Sequence, residues 1–248
     1  MTTTTETAAA PRKSSNIARA TLAAAVMVPL AGPLHRFDVL GWQAGLGLFA
    51  MAALLAGIGA IWCLVLLLRR RGGTITVMAA AVGLAALAAP VTLVLAAGDK
   101  PPINDISTDT VSPPEFVAIT ADLRGDGASP IGYNPAFAPQ QARAYPEIRP
   151  LDLPVPPDRA FELALAACNE NWQIIASDRA AGRIEAVERG MWWGFRDDVV
   201  IRLTGTPAGT RVDVRSKSRV GQSDLGANAK RIAAYLDRLA AGMRKAGA

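Results

Sequence analysis

Three stretches near the start of the chain carry no charged side chain: residues 20–34, 40–68 and 75–97. A helix needs about 20 apolar residues to cross the hydrocarbon core of a bilayer. The second and third stretches therefore predict transmembrane helices over about 40–68 and 75–97. The first is shorter and interrupted by Pro29 and Pro33. It reads as a proline-kinked span over about 20–34, with a cleavable signal peptide as the alternative. The polar residues ahead of it and the lack of a well-placed small-x-small cleavage site favour the span. Residues 1–98 thus read as a membrane anchor with three transmembrane helices. None of the three contains Asp, Glu, Lys, Arg or His, which argues against a pump or transporter, since ion and proton pathways need such groups. Gly41, Gly45, Ala52, Ala56 and Gly59 would let these helices approach closely.

The pattern changes at residue 99. Twelve of the seventeen prolines fall within 99–157, a density no helical periodicity survives. The segment reads as extended chain laid over a domain or linking it to the membrane, with one short strand at Phe116–Thr120. From residue 158 the pattern is regular. Phe161, Leu165, Cys168 and Trp172 recur on one helical face. Trp172–Ser177 and Arg183–Arg189 read as strands, and Arg196–Thr204 and Thr210–Val220 as a hairpin across Thr206–Gly209. Ser223 is a good N-cap for a last helix whose stripe is Leu225, Ala229, Ile232, Leu236, Leu239 and Met243. An antiparallel sheet of about four strands, with two helices packed on one face, buries these patterns most simply, so residues 158–248 form an α+β domain.

Charge sharpens this picture. The formal net charge of +5 belongs wholly to residues 1–98, because acids and bases balance beyond them. The polar region has no net field to offer phosphates, which argues against a nucleic-acid partner. Arg69-Arg70-Arg71, between the second and third spans, places that loop in the cytoplasm. The N-terminus is then cytoplasmic and the C-terminal domain exported, in a multi-pass membrane protein with the lipid bilayer as its first partner. Residues 99–178 are net acidic and 179–248 net basic, as expected if complementary halves of one domain pack together.

Three blocks in the C-terminal half carry a family resemblance: Trp193-Gly194-Phe195-Arg196-Asp197-Asp198-Val199-Val200-Ile201-Arg202, then Arg211 to Gly221 with Asp213, Arg215, Ser216, Ser218 and Arg219, then Asp224-Leu225-Gly226 with Asn228. Asn104-Asp105 with Asp109, and Ala144-Tyr145-Pro146, fit upstream. Over roughly 100–242 the chain resembles the domain-of-unknown-function 1499 family. The resemblance implies a bacterial or plastid domain often attached to membrane spans, which with the topology above implies a bacterial inner membrane and a periplasmic C-terminal domain, and it brings no activity with it. The Pro-Asn-Cys block of one branch is not matched, Asn104-Asp105 standing in that region.

The available chemistry is narrow. His35 is the only histidine, beside the membrane, so the C-terminal domain has no His for triad catalysis or for a metal. Its single cysteine, Cys168, reads as a buried small hydrophobe. Asp105-x-Ser107-x-Asp109 begins like a calcium loop, but Thr110 and Phe116 stand where glycine and glutamate are needed, so no metal and no cofactor are expected. Trp192, Trp193 and Phe195 read as a sheet-end cluster, with a lipid or sugar platform as the alternative. In the hairpin, residues whose numbers sum to 415 face each other: Leu203 with Val212 and Ile201 with Val214 on the core side, Arg202 with Asp213 and Asp198 with Lys217 on a solvated side worth ~0.2–1 kcal/mol per pair. The same register sets Arg196 opposite Arg219, and with Ser223 and Asp224 nearby these four form a candidate anion site. Asn104, Asp105, Asp109, Asp198, Asp213 and Arg215 are further polar candidates. No catalytic residue stands out. A non-catalytic module for an anionic envelope component or a protein partner is the first expectation. A histidine-independent enzyme using Asp105, Asp109, Asp197 or Asp224 as acid and base is the second. The two differ in whether such carboxylates meet in one concave site.

Overall fold

A computed structural model describes residues 9–246. It divides into two compact units. The first holds the described residues up to Gly98 together with Met191–Gly194; the second holds 99–190 and 195 onward.

The first unit contains α1 (Ala9–Arg36), α2 (Trp42–Leu68) and α3 (Thr74–Ala97). Within them, Ser14–Arg36, Trp42–Leu68 and Thr74–Ala97 are long and apolar enough to cross a membrane. α1 starts well before the apolar run because helix geometry continues through its polar flank, and it runs through Pro29 and Pro33 without ending. Small residues mediate the packing. Ala52, Ala53, Ala56, Ala60 and Cys63 are buried on α2, and Ala79 and Ala80 on α3. A Cβ on Gly59 would lie 2.1 Å from the Thr21 hydroxyl oxygen, and one on Gly83 2.6 Å from the Ala56 carbonyl. Gly41 meets only Gln43 of its own helix, so it takes no part in this packing.

The second unit is an α+β domain. Its strands are β1 (Asp105–Ser107), β2 (Leu151–Leu153), β3 (Trp172–Asp178), β4 (Arg183–Arg189), β5 (Arg196–Thr206) and β6 (Gly209–Ser218). All pair antiparallel, in the order β1-β6-β5-β4-β3, with β2 also on the outer edge of β6. The sheet has six strands because β1 and β2 are three-residue pieces of the proline-rich segment, too short to show a period of two. The hairpin follows the expected register, with Ile201 opposite Val214 and Leu203 opposite Val212. A bulge separates Ile174 from Ala176 in β3.

Helices α6 (Pro157–Ala166) and α7 (Ala227–Ala246) cover one face. There Ile184, Ala186, Val199, Ile201, Val212 and Val214 meet Phe161, Ile232, Tyr235 and Leu239 in one core. Tyr235, fully buried, stacks on Trp172 and donates to the Ala164 carbonyl at 3.0 Å; the apolar stripe passed over it. Leu165 is exposed and Ala160 and Ala164 are buried instead, because α6 turns its small residues to the sheet. Leu225 lies before α7, exposed and with φ of 55°, so it is no part of the stripe.

The part of the proline-rich segment from Pro114 to Tyr133, with α4 (Ala121–Arg124), lies over the opposite face. A 3-10 turn at Pro135–Phe137 and α5 (Ala138–Ala144) follow, and Phe137, Tyr145 and Ile148 join the apolar core. Phe116–Thr120 is not a strand. The amides of Val117, Ala118 and Ile119 converge instead on the carboxylate of Glu185, at 2.8–3.1 Å. Glu185 is fully buried on β4, and with its hydrogen-bonding met by three backbone donors it supplies what a neighbouring strand would have supplied.

Candidate functional site

Alternation along the strands sends a second set of side chains to the face under the proline-rich segment, most of them charged, with Val187 and Val200 as apolar exceptions. Asp105 on β1 accepts a two-pronged contact from Arg215, both bonds 2.8 Å, and a third from the Lys217 ammonium at 2.7 Å. The Arg215 guanidinium lies 5.0 Å over the Phe116 ring and 5.5 Å over that of Tyr133. It also donates to the carbonyls of Pro114 and Ile131. Burial pushes the Tyr133 hydroxyl up to about 12, and the Asp105 charge adds to the rise while Arg215 opposes it. Burial also lowers the Lys217 ammonium, with Asp105 holding it back toward its ordinary value.

One step along the sheet, Asp198 lies between two arginines. Arg124 from α4 reaches it at 2.8 Å, and Arg219 from the end of β6 at 2.8 and 2.9 Å. At the far end Asp213 takes Arg202 at 3.0 Å and Arg211 at 3.3 Å, and the same two arginines reach Asp109. Burial raises the Asp109 carboxyl. The amides of Ser112 and Val111, with Arg202 and Arg211, outweigh that and leave it below its ordinary value.

The expectation of a solvated face is therefore corrected. Asp105 and Asp198 are 0% exposed and Asp213 is 1% exposed, because the proline-rich segment roofs them. Arg202 does pair with its opposite Asp213. Asp198 faces Lys217 in register, yet each has taken a nearer partner from the roof or from β1. Of the acids in 99–178, Asp105 and Asp109 meet basic residues of 179–248 in these contacts.

The four-residue anion site is divided. Arg196 and Arg219 do lie together, the Arg219 amide donating to the Arg196 carbonyl at 3.1 Å. Both line a cavity of about 410 Å³. Ser223 and Asp224 do not line it. α7 begins only at Ala227, so the amides at 223 and 224 are not a helix start. Their side chains close the turn before it: Ser223 accepts from the Leu225 amide, and Asp224 from those of Gly226 and Asn228 at 2.8 Å. Burial raises the Asp224 carboxyl, with those two amides opposing. Nor does Asp224 neutralise Arg219; Asp198 does.

The register adds a residue that the hairpin alone concealed. Arg189 on β4 stands opposite Arg196 on β5, so three arginines form a row across β4, β5 and β6. All three line the cavity, with Asn171, Gln173, Leu123, Ile175 and Val187 completing it and no carboxylate among them. Arg219 is 5% exposed with its guanidinium committed to Asp198 and to the Leu123 carbonyl. Arg196 is exposed and enters no ion pair among the described residues. Pairing the strand Arg183–Arg189 with Arg196 onward would have revealed the row in the sequence.

Asn104 and Asn228 tie the domain together. Asn228, fully buried, donates to the Asn104 carbonyl at 3.1 Å and to Ser218 at 3.0 Å, and accepts from Ser216 at 2.6 Å. The carboxylates named for acid–base work are scattered. Asp105 is spent on Arg215 and Lys217, Asp109 on Arg202 and Arg211, Asp197 on Arg231 and Asp224 on its turn. Cys168 is half-buried, its thiol raised to about 11 by burial, which suppresses the thiolate. No group of three or more His, Cys, Asp or Glu among the described residues could hold a metal ion.

Three membrane-length helices and a mixed α+β domain, the latter with an ionic seam under a proline-rich roof, define the class. The chain belongs to the DUF1499 family, "Protein of unknown function (DUF1499)", whose model matches residues 105–239. The match starts at β1 and ends within α7, so it takes in both faces of the sheet and the roof. No curated protein and no solved structure matches the chain.

Proposed function

We propose that the chain is a membrane-anchored, non-catalytic binding module whose α+β domain lies on the periplasmic side of a bacterial inner membrane and takes an anionic ligand at Arg196. The observation that carries this reading is the row Arg189–Arg196–Arg219 beside a 410 Å³ cavity without a carboxylate. Like charges directly across a ladder destabilise it. Arg219 is balanced by Asp198, whereas an exposed Arg196 costs little in the free protein and gains a partner when an anion enters. Asn171 and Gln173 add amide groups that can orient such a ligand, and Leu123, Ile175 and Val187 give it an apolar floor. The enzyme reading has less support, since each of its carboxylates already serves a structural partner.

The test is thermal unfolding of the full chain in detergent with inorganic phosphate, glycerol phosphate or citrate. An anion that binds the folded state raises the melting temperature, and Arg196→Gln should abolish the rise. No shift with any of the three would remove the reading. The side of the membrane is tested separately with an alkaline phosphatase fused after Ala248, which should be active; a well-expressed but inactive fusion would reverse the orientation.

A further inference from the structure

The cavity beside Arg196, about 410 Å³, is far larger than an inorganic anion needs; pockets of this size hold small organic ligands. Its lining divides in two along the strands. At the outer end lies the row of Arg189, Arg196 and Arg219, with Asn171 just ahead of β3. Two residues further along, about 7 Å on an extended strand, Arg189 gives way to Val187 and Asn171 to Gln173, and these two stand opposite each other. The charged end of the cavity thus leads into an apolar one.

Two features shape that apolar end. β3 breaks its alternation with the bulge between Ile174 and Ala176, and Ile175, the extra residue, lines the cavity. Bulges re-aim side chains and recur beside active sites. From the roof comes Leu123, 46% exposed although its backbone is held in place. Its carbonyl accepts from Arg219 at 3.0 Å, and the next residue, Arg124, reaches Asp198 at 2.8 Å. A leucine fixed in water gains from an apolar cover. Charge selects the other end of the ligand. Arg124 and Arg219 share the one carboxylate of Asp198, and Asp197 turns to Arg231 on the opposite face. With Arg196, three positive charges and one negative charge meet there among the described residues, an excess of two. A phosphate monoester carries about −1.5 to −2 near neutral pH and matches that excess; a carboxylate carries half of it.

Building on the anion-binding reading above, we infer that the cavity takes a phosphate monoester with a small apolar body. Its phosphate meets Arg196, and its body lies between Leu123 of the roof and Ile175 and Val187 of the sheet. Glycerol phosphate has such a head without the body, and benzoate such a body without the second charge.

Isothermal titration calorimetry of the full chain in detergent compares phenyl phosphate, glycerol phosphate and benzoate at pH 8, where both esters are dianions. Phenyl phosphate is expected to bind about tenfold more tightly than glycerol phosphate, the gain from covering Leu123 and one face of the ring. It should also bind more tightly than benzoate. Leu123→Ser should bring phenyl phosphate down to the glycerol phosphate affinity and leave the latter unchanged. The variant keeps its fold, because the contacts of α4 run through the Leu123 carbonyl and the Arg124 side chain. Arg196→Gln should weaken both esters. Equal affinity for the two esters overturns the inference, as does benzoate binding as tightly as phenyl phosphate. In either case the anion-binding reading stands if Arg196→Gln still weakens binding. An advantage of phenyl phosphate that persists in Leu123→Ser overturns the place given to the apolar body. No binding by any of the three removes both readings.

Discussion

The two faces of the sheet are built from the same strands, one residue apart, and are filled in opposite ways. On one, Ile184, Val199, Ile201, Val212 and Val214 are closed by two helices. On the other, Glu185, Asp198, Asp213, Arg215 and Lys217 are equally buried under a roof with almost no helix. An apolar face takes any well-shaped apolar cover, since the hydrophobic effect is non-directional. A charged face needs its partners at fixed places, so it selects a particular roof. The proline-rich segment meets that demand with backbone groups: amides of 117–119 for Glu185, and carbonyls of Pro114 and Ile131 for Arg215. Prolines stiffen a segment that is otherwise short of internal hydrogen bonds. The comparison teaches that here dense charge marks a second core rather than a surface.

Breaking the ionic face should cost most. Asp198→Ala leaves Arg124 and Arg219 buried without their carboxylate, an expected loss of ~3–5 kcal/mol, read from denaturant unfolding of the full chain in detergent. The apolar face has a comparable but separately graded loss. Leu239→Ala should cost ~2–5 kcal/mol with the cavity it leaves, and because Leu239 sits in the apolar core its effect should be independent of salt and pH. A finding that Asp198→Ala costs under ~1 kcal/mol would show the roof to be loosely held. Asp109 sharpens the comparison through pH. Its folded-state value lies below the ordinary 3.8, so it contributes stability above 3.8 that is lost as pH falls through the folded value. Asp109→Asn should therefore be less stable than the parent at neutral pH, with the gap closing below 3.8. Melts at several pH values check this; a gap that widens on acidification would reverse the assignment.

Legibility followed the same division. The three apolar helices, strands β3 to β6, the hairpin register and the class of fold could be read from periodicity, because each has an apolar face of one period. β1 and β2 could not, since three residues in a proline-rich context show no period. The ionic face was read as charged correctly and as solvated wrongly: sequence alternation tells which side a residue faces, not what covers that side. Glu185 and Arg124 went unnoticed for that reason, each being one charge among many until its partner is placed. The proximity of Arg196 and Arg219 was legible, because it follows from hairpin arithmetic. Arg189 required a second pairing, and Ser223 with Asp224 was placed at a helix start that lies three residues further on, at Ala227.

The central claim is that the seam is structural and that Arg196, at its open end, is spare. Arg196 and Arg219 are neighbours in the same row of the sheet, so the direct test is one pair of variants, Arg196→Gln and Arg219→Gln, melted side by side without added anion. Arg219→Gln should lower the melting temperature sharply, since Asp198 loses a two-bond partner at 2.8 and 2.9 Å. Arg196→Gln should leave it unchanged or raise it by relieving repulsion within the row. Equal losses for the two would contradict the account, because Arg196 would then be as deeply committed to the fold as its neighbour.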